Sequence, residues 1–307
     1  MEHIKQELYK YSLHKEKQQS NFLRNQQNLK NVKTGEVLSL KYSFDFKQKE
    51  YVKTIEQKVN ALVSIAIEQN LNPIFITLTV PSKFHPFKTL KNGVNVTNKN
   101  YKFVKLDDAI VEAYEELKTI YRTFYKRLKN CSKNIYYIKI TEPHKSLIPH
   151  MHILIFVENE HLSNTKKLFI KIYKEYKLQR VDYDESILYD NLNNAVGYIM
   201  KYVLKTLNSD NEFFKRWLDG WRKKYKIRAC EMSNLPISVE VYKKLYYNLP
   251  KDLKESLQKE IESNNQSFFE YFIQNTEVHQ IIYSEKEDEN MWKKLKKSRL
   301  DLTRNSK

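Results

Sequence analysis

The chain has 307 residues, and 54 Lys and Arg against 37 Asp and Glu give it a formal net charge of +17 at pH 7. Its four glycines stand far apart. This excludes a Walker A loop and a dinucleotide fingerprint, because both need closely spaced glycines against phosphate. No long uncharged apolar run occurs, so the sequence predicts no transmembrane helix, and the first residues lack the apolar centre of a signal peptide.

The composition also bears on location and partner. The two cysteines, Cys131 and Cys230, form neither a disulfide framework nor a CxxC metal knuckle, and they are typical of a reduced cytoplasmic protein. The basic excess indicates a polyanionic partner. Nucleic acid fits best, because 22 Tyr and 15 Phe offer stacking faces beside the lysines. A genome rich in A and T would also raise the lysine count, so the charge alone decides little.

The first third of the chain predicts helices and one buried strand. The polar first fifty residues indicate short helices, and residues 50–69 form an amphipathic pattern with apolar side chains three and four apart. The β-branched and aromatic run at 74–80 predicts a buried central strand. Residues 82–105 read as a long loop.

The middle of the chain alternates helix and strand. Asp107 and Asp108 are expected to cap a helix whose apolar residues recur at spacings of four and three up to residue 128. Strands are predicted at 135–141 and 150–157, separated by a turn at 143–149. A helix follows at 162–176, and 180–187 is a strand or an irregular link.

The last third is predicted to be mainly helical. Asn193 or Asn194 is expected to cap a helix that runs to about residue 207. Residues 213–226 and 239–248 also read as helices, with an extended segment at 227–232 between them. The charged remainder reads as helical and ends in a basic tail at 293–299, a pattern that fits a solvated helix face or phosphate binding.

A histidine pair on the predicted strand 150–157 is the strongest chemical signal. Residues two apart on a strand point the same way, so His150 and His152 present two imidazoles on one face. Neutral imidazole is a common ligand for divalent metals. If the turn is a hairpin, Glu142 ends the neighbouring strand and is the preferred third ligand, because hard oxygen suits Mg²⁺ or Mn²⁺; His144 is the alternative. The structural alternative is a pair of hydrogen-bonded histidines in a half-buried sheet.

The second signal is a pair of tyrosines on the predicted helix that starts near residue 194. Tyr198 and Tyr202 are four residues apart and so share one helix face, and Lys201 and Lys205 repeat that spacing on an adjoining face. A tyrosine hydroxyl can act as a covalent nucleophile when a nearby metal or ammonium favours the phenolate. Taken alone, the pattern fits core packing equally well.

Together the two segments resemble the HUH endonucleases, and most closely the bacteriophage replication gene A protein family of rolling-circle initiators. The matching stretches are Glu142-Pro143-His144, Pro149-His150-Met151-His152, and the Tyr-x-x-Lys-Tyr-x-x-Lys pattern of Tyr198, Lys201, Tyr202 and Lys205. The resemblance covers roughly residues 73 to 248. One departure is the turn after Glu142-Pro143-His144, where the family often has Asp-Gly and this chain has Lys145-Ser146-Leu147-Ile148.

The resemblance implies an α+β fold with a central antiparallel sheet, flanking helices, and helical extensions at both ends. It divides the chain into a helical polar region (1–72), an HUH-type nicking endonuclease domain (73–250) and a charged helical region with a basic tail (251–307). It further implies single-stranded or origin DNA as substrate, Mg²⁺ or Mn²⁺ as cofactor, and nicking through a 5′-phosphotyrosine intermediate. Tyr198 or Tyr202 would be the nucleophile, with Lys201 or Lys205 pairing with phosphate or assisting proton transfer.

Three alternatives bear on the same residues. A histidine-triad hydrolase is unlike this chain, because Leu154 stands where a third alternating histidine would be. A single-tyrosine relaxase or transposase would use the same histidines but gives no reason for the second tyrosine. A non-catalytic DNA-binding initiator would leave His150 and His152 as core residues. Without a glycine-rich loop, strand separation would fall to a host helicase, and a host polymerase would extend the nick.

Overall fold

The computed structural model describes residues 1–26, 28–30, 34–35, 37–39, 41–90, 93–178, 182–184, 197, 200–201, 211–235 and 251–263. The helices are α1 (Glu2–Gln26), α2 (Phe44–Glu68), α3 (Leu106–Lys129), α4 (Leu162–Glu175), α5 (Glu212–Lys224) and α6 (Lys251–Ser263). The strands are β1 (Asn28–Lys30), β2 (Val37–Ser39), β3 (Asn72–Thr79), β4 (Phe87–Thr89), β5 (Asn95–Thr97), β6 (Tyr136–Pro143), β7 (Pro149–Val157), β8 (Asp182–Asp184) and β9 (Cys230–Met232).

Five strands form one antiparallel sheet in the order β8-β3-β7-β6-β9. The central strand β7 is flanked by β3 and β6 along its whole length, so its backbone groups are paired on both sides. Helices cover both faces of the sheet. This confirms the predicted α+β fold with a central antiparallel sheet and flanking helices.

The two faces of the sheet contact different helices. Alternation along β7 directs Ile153 and Ile155 into the larger core, which α1, α3, α4 and α5 also line. Leu154 and Phe156 point the opposite way and pack against α2. Because both faces are covered, β7 is apolar in nearly every position, as its continuous hydrophobic run predicts.

Several sequence-based elements are confirmed with shifted ends. Helix α2 begins at Phe44, before the predicted residue 50, because the Ser43 side chain accepts a hydrogen bond from the backbone N–H of Phe46. Helix α3 follows Lys105, so Asp107 and Asp108 lie in its first turn and do not cap it. The Asp107 carboxylate instead accepts hydrogen bonds from Lys224 and Tyr225. The two strands predicted on either side of the turn are confirmed as β6 and β7, and they pair as a hairpin.

Besides the expected capping by Asp107 and Asp108, two predictions about whole segments were wrong. The first fifty residues were expected to form short helices, whereas α1 is a single 25-residue helix followed by the short β1–β2 hairpin. Residues 82–105 were expected to be a loop, but they contain a 3₁₀ turn (Ser82–Phe84) and a two-stranded ribbon formed by β4 and β5. The expected helix at 239–248 and the basic tail at 293–299 lie outside the described residues, and the division into three domains stays a prediction.

Helix α1 is long because it packs along α5. Ser12 donates a hydrogen bond to Asp219 over 2.5 Å, and Arg216 pairs with Glu16. The two backbones meet at Gly220, where an added Cβ would lie 1.9 Å from the Leu8 carbonyl oxygen. This close approach requires a residue without a side chain. Such a tertiary contact cannot be read from local composition.

We expect Gly220→Ala to destabilise the protein by about 1–3 kcal/mol or more, because the new methyl group must displace the α1 backbone. The matched control is Gly197→Ala. Gly197 is helical and exposed, with nothing within 4 Å of the added Cβ, so this change should be neutral or stabilising by up to about 1 kcal/mol. Chemical denaturation measures both values. Equal stability of the two variants would contradict the close packing of α1 on α5.

Within the part of the chain that the structure describes, no helix is both long and apolar enough to cross a bilayer. The predicted cytoplasmic location stays a prediction.

Candidate metal centre

The candidate site lies at one end of the β6–β7 hairpin. Register pairs His150 with Glu142 on β6, and His152 with Ile140 on β6 and Thr77 on β3. The alternation of β7 therefore places both histidines on one sheet face, as predicted. This is the face that carries Leu154 and Phe156 and contacts α2, so the site forms where the apolar stripe of that face ends.

Three side chains converge there. His150 Nε2 lies 4.0 Å from Glu142 Oε2, and His152 Nε2 lies 3.7 Å from the same oxygen. One ligand atom from each residue falls within 4.8 Å of the other two. Two imidazole nitrogens and one carboxylate around a common point are a donor set that suits a divalent cation and leaves further positions open.

The surroundings fix the orientation of these groups. The His152 ring stacks on Phe75 at a centroid distance of 5.8 Å, and its Nδ1 lies 3.2 Å from Thr77 Oγ1, which leaves Nε2 facing Glu142. The Glu142 side chain is buried, and its Oε1 has no hydrogen-bond partner among the described residues. A buried carboxylate oxygen without a donor is costly, so the residues fit a site that receives a cation.

His144 lies beside this group and not within it. Its ring centroid is 6.1 Å from that of His150, and the described set of convergent ligand atoms comprises Glu142, His150 and His152. Burial lowers the pKa of His144, and the charge of Lys145 lowers it further. The geometry supports Glu142 as the third ligand, an assignment that stays a prediction.

The sequence analysis assigned no role to His85, because it lies in a segment without the apolar periodicity of a helix or strand. Its ring meets that of His144 edge-on at 5.5 Å, and its Nδ1 lies 3.2 Å from Ser146 Oγ. Burial lowers the pKa of His85 to about 4, and the nearby His144 adds to that fall. The side-chain amide of Asn98 donates to the carbonyl oxygens of both Ser82 and His85, each over 2.7 Å, and so anchors this segment beside the hairpin turn.

Arg222 was also given no role from the sequence, where it is one of many basic residues in α5. Burial lowers the pKa of Arg222 to about 10, and the charges of Tyr51, Glu142 and Asp219 oppose that fall. The guanidinium therefore stays cationic at neutral pH. Its positive charge interacts favourably with the charge of Glu142.

The turn that departs from the family pattern is well formed. The His144 N–H donates to the Ile148 carbonyl, and the Leu147 N–H donates to the His144 carbonyl, both over 2.8 Å. Leu147 adopts a φ of +64°, a conformation that glycine takes more readily. The Trp221 indole N–H donates to the Leu147 carbonyl oxygen over 3.0 Å and so holds this turn from α5. The absence of Asp-Gly therefore does not prevent a hairpin.

The structure describes the tyrosine segment only in part. Tyr198, Tyr202 and Lys205 lie outside the described residues, and Lys201 is helical and exposed. Its neighbour Met200 is buried in the same cluster as Phe75, Leu154 and Phe156. The Met200 side chain therefore packs against the sheet face that bears the histidine pair.

The fold and site define an α+β protein with a Glu–His–His group, competent for a divalent cation, on the central strands of an antiparallel sheet. The chain belongs to the bacteriophage replication gene A protein family, whose model matches residues 11–210.

Individual relatives agree with this assignment. The chain is 27% identical over 164 residues to a probable replication protein P12 of Pseudoalteromonas phage PM2, an alignment that covers 50% of this chain and 23% of that protein. It is 27% identical over 161 residues to a replication protein of Haemophilus phage HP1 (49% and 19% covered). It is also 27% identical over 146 residues to the replication gene A protein of Escherichia phage P2 (44% and 18% covered). The alignments thus span about a fifth of the length of these relatives. No solved structure is significantly similar to the chain.

Proposed function

We propose that this protein is a site-specific DNA endonuclease and strand transferase that initiates rolling-circle replication. The observation that carries this proposal is the convergence of Glu142, His150 and His152 on one sheet face of a replication gene A family member. The hypothesis of a non-catalytic initiator with core histidines is less favoured. It leaves the buried Glu142 Oε1 without a donor among the described residues.

In this proposal the three side chains hold Mg²⁺ or Mn²⁺. Such an ion supplies Lewis-acid polarisation of the scissile phosphate and stabilises charge in the transition state. Thr77 fixes the His152 ring so that its Nε2 faces the ligand position.

The covalent step belongs to Tyr198 or Tyr202. The hydroxyl oxygen of one tyrosine bonds to phosphorus while the bond from phosphorus to the 3′ oxygen breaks. The DNA 5′ end then stays on the tyrosine and a 3′-hydroxyl is released. Because an unperturbed tyrosine has a pKa near 10, the reaction needs a proton acceptor, and Lys201 or Lys205 assists this transfer or pairs with phosphate charge. The phosphodiester energy is kept in the link, so rejoining requires no ATP.

The proposal also names partners. The released 3′-hydroxyl is a primer for a host polymerase, and strand separation is assigned to a host helicase because the sequence has no glycine-rich phosphate loop. Single-stranded or origin DNA is the substrate.

The decisive experiment incubates the protein with Mn²⁺ and a pool of single-stranded oligonucleotides of random sequence that carry a 3′-end label. We expect labelled DNA to remain on the protein through denaturation, because the tyrosine retains the 5′ end of the labelled fragment. The released fragment, which is the part without the label, should end in a 3′-hydroxyl. Samples with EDTA should show neither product. A label that never becomes covalent under any of these metal conditions would refute the nicking mechanism.

A further inference from the structure

A basic surface next to the metal centre has no role in the proposed nicking reaction. Residues 82–105, here called the lysine ribbon segment, contain six lysines and no acidic residue. Within it β4 and β5 pair from Phe87↔Thr97 to Thr89↔Asn95. Every described residue of these two strands is exposed except the partly buried Phe87. A two-stranded ribbon has little stability alone, so this one depends on its anchor to the core.

The base of the ribbon is fixed to the metal centre. Asn98 holds Ser82 and His85 by hydrogen bonds, and His85 contacts Ser146 and His144 in the turn between β6 and β7. His144 in turn contacts His150. A DNA strand bound at the metal centre therefore lies beside the point where the ribbon leaves the core.

The chemistry of the ribbon indicates which form of DNA it fits. The exposed apolar side chains of the lysine ribbon segment are all aliphatic: Leu90, Val94, Val96 and Val104. The rings of Phe87, Tyr101 and Phe103 are only partly exposed, and those of Tyr101 and Phe103 pack against the core, so the segment offers little ring surface on which an unpaired base can stack. Lysines, threonines and asparagines make up most of its remaining side chains. In protein–DNA complexes, side chains of these types contact phosphates and base edges. A two-stranded ribbon is also narrow enough to enter the major groove of a duplex.

We infer that the lysine ribbon segment binds the phosphate backbone of duplex DNA next to the nick site. This inference rests on the proposed function for its biological meaning, because it supposes that the neighbouring metal centre acts on DNA. In this arrangement the single-stranded part of the DNA lies at the metal centre, and the adjoining double-stranded part lies on the ribbon.

The test compares two triple variants of equal charge. Lys88→Gln/Lys99→Gln/Lys102→Gln removes three exposed charges from the ribbon segment. Lys166→Gln/Lys167→Gln/Lys171→Gln removes three exposed charges from α4, which covers the sheet face opposite the metal group. Affinity for a 30-base-pair duplex and for one of its strands is measured in EDTA over a range of salt concentrations, so that no cutting occurs.

We expect the ribbon variant to lose duplex affinity by at least about tenfold and its log–log salt dependence to become shallower by about 2 to 3, because each phosphate contact contributes a slope of about 0.9. The α4 variant should bind the duplex within about twofold of the unaltered protein, and single-strand affinity should change little in either variant. A duplex affinity equal in both variants, or an equal loss for single strands, would overturn the inference. Because binding is read without metal, a failure of the nicking proposal would appear separately, as binding without a covalent adduct.

Discussion

Replacing one of the proposed metal ligands should slow nicking severely while DNA binding persists. We expect Glu142→Ala, His150→Ala and His152→Ala each to weaken Mn²⁺ affinity by at least about 100-fold and to slow nicking by about 1,000-fold or more. The reason is that Lewis-acid stabilisation worth several kcal/mol is lost. Electron paramagnetic resonance of unbound Mn²⁺ measures the affinity without reference to activity. DNA affinity should fall little, because phosphate contacts elsewhere supply most of it.

His144→Ala is the matched control for this series. His144 is close to His150 but lies outside the convergent group, so its loss should leave Mn²⁺ affinity within a few-fold of the unaltered protein. If His144→Ala weakens Mn²⁺ binding as strongly as Glu142→Ala does, the third ligand has been assigned to the wrong residue. If the His150 and His152 variants nick normally in EDTA, the metal hypothesis fails as a whole.

The second large effect concerns the paired tyrosines. We expect Tyr198→Phe and Tyr202→Phe each to retain single-strand nicking, and the double variant to form no covalent adduct. In a helix, residues four apart are separated by about 6 Å along the axis, so both hydroxyls can serve one phosphate site in turn. Phenylalanine preserves ring packing and removes only the hydroxyl, so a tyrosine pair with a purely structural role would leave adduct formation unchanged.

Mass spectrometry of the adduct peptide separates the remaining possibilities. Two alternating nucleophiles should leave DNA on both Tyr198 and Tyr202 in the unaltered protein. If one substitution removes all adduct and the other changes nothing, the enzyme is a single-tyrosine nickase of the relaxase or transposase type. If the double variant still forms adduct, the nucleophile lies elsewhere in the chain.

Features set by short-range periodicity were predicted well from the sequence. The apolar runs at 135–141 and 150–157 and the prolines between them predicted two strands separated by a turn, and the two-residue spacing predicted the shared face of His150 and His152. The structure shows that the turn is a hairpin. Helix α3 followed from its apolar spacing. Glu142 was expected near the histidines if the turn was a hairpin, because the ends of two hairpin strands lie side by side. The register pairs Glu142 with His150.

Features that depend on tertiary contacts were not predictable in the same way. The length of α1 depends on α5, which is about two hundred residues away, and on one glycine that permits the approach. His85 is held beside the turn between β6 and β7 by Asn98 and Ser146, and no local sequence pattern predicts either contact. The ribbon of β4 and β5 lacks a buried face, so the alternation that reveals most strands is missing.

Three consecutive residues of α5 serve three separate parts of the molecule. Gly220 contacts the backbone of α1 at Leu8, and Trp221 donates a hydrogen bond to Leu147 in the hairpin turn. Arg222 interacts electrostatically with Glu142. The stretch matched by the family model ends at residue 210, before this helix. A fragment trimmed to that stretch would keep Glu142 and both candidate histidine ligands. It would nevertheless lose α5, which holds their hairpin turn, and residues 1–10, which include the buried Leu8 of α1 that meets Gly220. The stretch matched by the family model is therefore shorter than the unit that packs around the candidate site.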